Sequence, residues 1–134
     1  MVTLLLALVL SGVTSEHPIQ HKYESAYKES LREDKPLMVV VGAPWCPACN
    51  VLKSSTIEPM ARTGELDDVC VAVIDKDQNP ELVEQLTKGE KMLPQIILFT
   101  KTESGRWSRR KLMGFQPKQP VRSLIKKAIH DLRG

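Results

Sequence analysis

Three cysteines are too few for a disulfide-stapled fold, since only one pair can close and one thiol is left over. No apolar run approaches the ~20 residues that a membrane-spanning helix needs. The net charge of +3 is too small to argue for a nucleic-acid partner. The densest basic stretch holds Arg106, Arg109, Arg110 and Lys111 around Trp107, and reads as a solvated hairpin. No internal repeat, low-complexity block, nucleotide motif or flavin motif is visible. A structural zinc site usually takes two Cys-x-x-Cys pairs. Here there is one, and Cys70, His17, His21 and His130 are not at ligand spacing, so no metal is expected. The methionines Met1, Met38, Met60, Met92 and Met113 are dispersed, which weakens a case for copper handling.

What is present suits one soluble domain. The chain has 134 residues, 42% hydrophobic and 26% charged, enough to bury a real core. Val2 to Leu10 is apolar apart from Thr3, and Ser11, Gly12, Val13, Thr14 and Ser15 follow. This reads as a short signal-peptide core with cleavage near Ser15, leaving residues 16–134 as the mature domain. No basic residue precedes the run, and an ordinary first strand is the competing reading.

Downstream, His17 to Gln20 reads as a linker. Tyr23, Ala26, Tyr27 and Leu31 recur at helical spacing. Leu37 to Val41 and Val69 to Ile74 are apolar without polar alternation, the mark of strands buried on both faces. A helix is expected from Cys46 to about Ile57, with Pro47 at its first position and Glu58-Pro59 interrupting or ending it. Glu81 to Leu86 is a short helix. Gln95 to Thr100 and Arg106 to Met113 form a hairpin about Glu103-Ser104-Gly105. Val121, Leu124, Ile125, Ala128 and Leu132 form the stripe of a last helix. The order α-β-α-β-α-β-β-α predicts an α/β fold with a small mixed sheet covered on both faces.

The chemistry concentrates in Trp45-Cys46-Pro47-Ala48-Cys49. With Cys46 opening a helix, unpaired backbone N–H groups and the helix dipole favour a thiolate. A lowered pKa makes Cys46 a nucleophile near neutral pH. Cys49, one turn on, can close an intramolecular disulfide, the minimum apparatus for disulfide exchange. Cys70, among apolar β-prone residues, is expected to be a buried inert thiol.

Taken with these cysteines, Ile74-Asp-Lys-Asp-Gln-Asn-Pro80, Met92-Leu93-Pro94-Gln95 and Gly114 resemble the thioredoxin superfamily over roughly residues 21 to 133. The segment Ala26 to Pro36 and the long stretch between Cys49 and Cys70 resemble its exported members, a neighbourhood that includes domains of membrane thiol reductases. The resemblance implies a thioredoxin fold and a cis peptide before Pro94. It implies that Leu93 presents backbone to an extended substrate, and that Trp45, Pro47, Ala48 and Gly114 shape the site. Departures are equally specific. Val40 and Val73 stand where the family has a buried aspartate and a buried lysine, and Pro47-Ala48 replaces Gly-Pro.

The implied activity is thiol-disulfide exchange with partner proteins, with Cys46 and Cys49 as the catalytic pair and no cofactor beyond their own disulfide. The expected protein is a monomer that is exported and reducing, recharged by a membrane thiol reductase. The alternative is a binding protein on the same fold, a chaperone or a Cu(I) metallochaperone whose thiols bind without turnover.

Overall fold

The computed structural model describes residues 19–133. The expected leader, residues 1–15, and His17 and Pro18 of the linker lie outside them. Four strands make one mixed sheet: β1 (Leu37–Gly42), β2 (Cys70–Asp75), β3 (Gln95–Lys101) and β4 (Trp107–Met113). Their order is β2-β1-β3-β4, with β1 parallel to β2 and the other two pairings antiparallel. The helices are α1 (Tyr23–Glu33), α2 (Pro47–Leu52), α3 (Glu58–Arg62), α4 (Pro80–Thr87) and α5 (Lys118–Arg133). Apart from α3, an additional helix between α2 and β2, this is the expected order, and it is the expected thioredoxin fold.

The two faces of β1 explain its uninterrupted apolar run. Side chains alternate across a strand. Met38 and Val40 pack with Leu52, Met60, Leu124 and Ile125 on one face. Leu37, Val39 and Val41 pack with Ala26, Val83 and Leu86 on the other. Both faces being covered, no position on the strand can be polar without a partner. The site-bearing end of β1 is thus anchored from both sides.

One local expectation is narrowed and two change. Of the two outcomes expected at Pro59, the helix is interrupted and not ended: the chain passes from α2 through a π-helical stretch, Lys53–Ile57, into α3. A proline lacks an N–H and crowds the carbonyl four residues back. The wider π turn, in which Glu58 N–H reaches Lys53 O, makes room for it. Gln20 is sheet rather than linker, its N–H bonding Val71 O at 3.0 Å and its carbonyl accepting from Val73 N–H at 2.8 Å. That covers the edge of β2, whose backbone groups would otherwise be open. Leu31 is exposed, and Ser30 takes the buried place beside Ala26, its hydroxyl donating to Tyr27 O.

The basic hairpin is tied down more than a solvated face requires. Arg110 grips Asp131, Lys111 pairs with Glu90, and Arg109 donates to Leu86 O. Trp107 stacks on Tyr27 of α1. Among the described residues no helix is long and apolar enough to cross a membrane.

Candidate active site

The carboxyl end of β1 delivers the chain to a tight turn, Ala43 to Trp45, and then to the start of α2. Cys46 is the N-cap, in an extended conformation, and Pro47 occupies the first helical position, where its missing N–H costs nothing. The turn is closed by Cys46 N–H to Ala43 O at 3.1 Å and by the Asn50 side-chain amide to Pro44 O at 3.1 Å. Cys46 and Cys49 form a disulfide with Cα atoms 5.3 Å apart. Cys49 N–H donates to Cys46 Sγ at 3.2 Å. In the dithiol form the same donor would lie beside the Cys46 sulfur and favour its thiolate.

Both cysteines are nearly covered: Cys46 is 6% exposed and Cys49 4%. Pro47 and Ala48 are exposed above them. Trp45 is largely exposed, and it is not loose. Its indole N–H donates to Asp77 Oδ2 at 2.8 Å, and Asp77 N–H in turn donates to Asp75 Oδ1 at 2.8 Å.

The loop before β3 completes the site. The Leu93–Pro94 peptide is cis. Leu93 packs against Ala43, Cys46 and Cys49. Gly114 donates its N–H to Pro94 O at 2.8 Å, and its φ of +77° is the left-handed region that glycine adopts without strain. So the residues expected to act at or shape the site come together here: Trp45, Cys46, Pro47, Ala48, Cys49, Leu93, Pro94 and Gly114. Met92 and Phe115 flank this loop as exposed apolar side chains.

Side chains given no role from the sequence hold the loop. Buried Gln95 donates its amide to Glu90 O at 3.1 Å and Met92 O at 2.9 Å. The Lys111 ammonium on Glu90 holds that carboxyl below the usual range. Glu90 and Met92 are only five and three residues from Gln95, but the fold that turns this loop back on Gln95, and the Lys111–Glu90 pair 21 residues apart, left no mark in the spacing.

Val40 and Val73, the replacements for the family's charged pair, are direct neighbours across β1 and β2. Above them, Gly42 runs so close to Cys49 that a Cβ there would lie 3.1 Å from Cys49 Cβ and 3.2 Å from Sγ. Carbon contacts normally sit at about 3.5–4.0 Å. A cleft of about 400 Å³ opens beside this point, bordered by Val40, Gly42, Cys49, Lys53, Val73 and Asp75.

Cys70 lies on the opposite face of the sheet, buried near Glu29 and Glu33, the three ligand atoms within 4.8 Å of one another. Burial first, then the two carboxylates, push its thiol up to about 11. A thiol that stays protonated is a poor nucleophile. In the reduced native protein a brief maleimide pulse at pH 7 should label Cys46 and leave Cys70 unmodified until denaturant is added. Peptide mass mapping reads this directly. Rapid native labelling of Cys70 would contradict the burial argument. The folded thiol's raised pKa stabilises the fold below the ordinary thiol value of 9.0, and that contribution fades as pH rises toward about 11.

Comparison with known proteins gives a consistent picture. The thioredoxin family model matches residues 18–127. A thioredoxin of Alicyclobacillus acidocaldarius is 31% identical over 102 residues, covering 76% of this chain and 90% of that one. A thioredoxin of Griffithsia pacifica is 29% identical over 75 residues, 56% of this chain and 65% of its own length. Among solved structures, a thioredoxin from Thermus thermophilus superposes with a TM-score of 0.68 at 16% identity, over 84% of this chain and 88% of that one.

Proposed function

The chain belongs to the thioredoxin family of protein disulfide oxidoreductases, which act on disulfide-containing proteins, and on that premise we propose an exported reductase working through Cys46 and Cys49. The Cys46 thiolate attacks a partner disulfide and forms a mixed disulfide. Cys49 attacks the Cys46 sulfur, the partner leaves as a dithiol, and the Cys46–Cys49 disulfide remains. The observation that carries this reading is that disulfide at the start of α2, with Leu93–Pro94 packed beside it.

The remaining residues take roles by position. Leu93 offers backbone groups to an extended segment of the partner, as one strand adds to another. Trp45, Pro47, Ala48 and Gly114 border that segment. With no nucleotide or flavin motif, the disulfide is the redox carrier and electrons come from outside the chain. A membrane thiol reductase is the proposed donor, and the apolar Val2 to Leu10 run supports export. The protein acts as a monomer.

The test is the equilibrium potential of the Cys46–Cys49 couple in graded glutathione buffers. A reductase should settle near the thioredoxin value of about −270 mV. A value near the −120 mV typical of strong oxidants would reverse the direction of electron flow.

A further inference from the structure

Resolving the mixed disulfide requires Cys49 to lose a proton, and the position that carries a buried aspartate in the family is Val40 here. The cleft beside Cys49 offers few groups in its place. Val40, Gly42 and Val73 on the strands cannot accept a proton, and Pro94 on the loop cannot either. Lys53, one turn beyond Cys49, is a basic side chain that can only favour a neighbouring thiolate. His21 sits at the exposed margin. Asp77 is engaged with the Trp45 indole. Asp75 is the remaining group.

Its placement follows from register. Asp75 pairs with Gly42 across the parallel β1–β2 ladder. Directly opposed residues project to the same face, with strands ~4.8 Å apart. The missing Cβ of Gly42 points at Cys49, so the Asp75 side chain projects to the face that carries Cys49. One oxygen, Oδ1, accepts the Asp77 N–H. The other, Oδ2, makes no hydrogen bond among the described residues. The missing Cβ at residue 42 lets Cys49 pack directly against the strand at this point, and the adjoining cleft, which both Cys49 and Asp75 border, is large enough for several waters at about 30 Å³ each.

We propose that Asp75 receives the Cys49 proton through water in this cleft, and that Gly42, by lacking a Cβ, lets Cys49 sit at its edge. The proposal rests on the exchange reading above. In the step, Cys49 S–H gives its proton to the Asp75 carboxylate. The Cys49 thiolate attacks Cys46 Sγ, the Cys46–Cys49 bond forms and the bond from Cys46 to the partner sulfur breaks. The electron pair leaves on the partner as a thiolate, which solvent protonates. Protein dithiol is oxidised and partner disulfide reduced, two electrons each.

Dithionitrobenzoate, added in excess to the reduced full chain, separates the two attacks. Cys46 releases a first thionitrobenzoate, and Cys49 attack on the resulting adduct releases the second. In Asp75→Asn, which can still accept the Asp77 N–H, the first phase should be unchanged. The second should slow at least ~10-fold near pH 6.5 and recover at higher pH as hydroxide takes over. Asp75→Glu should restore much of the rate. A second phase identical to the parent at every pH overturns the proposal. So does equal slowing of both phases, which reports distortion of the site, or a loss caused by Lys53→Gln instead. If the parent protein itself shows no second release, the exchange reading fails rather than this assignment.

Discussion

Cys46→Ser should reduce insulin-disulfide turnover by at least ~10³-fold, while Cys49→Ser should stop turnover by a different route. A serine hydroxyl stays protonated at neutral pH and is a far weaker nucleophile toward sulfur than a thiolate. Cys46→Ser therefore never forms an adduct. Cys49→Ser keeps the N-terminal thiol of α2 and still attacks, but cannot release the partner. It should accumulate a mixed disulfide that survives non-reducing electrophoresis and disappears with reductant. Mass spectrometry should place the adduct on Cys46. The asymmetry is the point of the experiment: the helix start favours a thiolate at Cys46, whereas Cys49 is tucked against Gly42. An adduct on Cys46→Ser through Cys49 would reverse the two roles.

Val40→Asp, which returns a carboxylate to the family position, should destabilise the fold by a pH-dependent amount. Val40 is 2% exposed, among Met38, Leu52 and Ile96, and its neighbour across the ladder is Val73 rather than a cation. Burial of this kind raises a carboxyl pKa by about 3, equivalent to ~4 kcal/mol between acid and neutral pH. The sign follows from linkage. With the folded pKa raised, the unfolded chain gives up its proton first as pH rises through about 4, so the deficit grows from there to neutral pH. Urea midpoints at pH 3.5 and pH 7 for variant and parent measure it. Adding Val73→Lys should recover part of the loss at pH 7, because the charge then has a partner. A deficit that does not change with pH would show that this end of the core is already hydrated.

The two valines also show how far the chain could be read on its own. Apolar runs without alternation identify β1 and β2 as strands covered on both faces, because a strand open on one side would show a polar residue at every second position. Pro47 and Pro80 mark helix starts, since a proline at the first turn loses no hydrogen bond. A Cys-x-x-Cys pair at such a start carries its chemistry in its spacing, one helical turn apart. These are local signals, acting over a few residues.

What the sequence could not supply are meetings between distant segments. Trp45 finds Asp77 32 residues away, and Arg109 finds Leu86 O 23 residues away. Pro59 reads in isolation as either an interruption or an end, and the π turn and the burial of Ile57 and Met60 carry the helix past it. Gln20 reads as linker until an open sheet edge is there to pair with. Gly42 and Asp75 are unremarkable letters until the β1–β2 register sets them opposite each other beneath Cys49. The residue types and their local spacing thus determined the elements and the cysteine chemistry. Only the packed sheet, whose register fixes which side chains share a face, decided what surrounds the second sulfur.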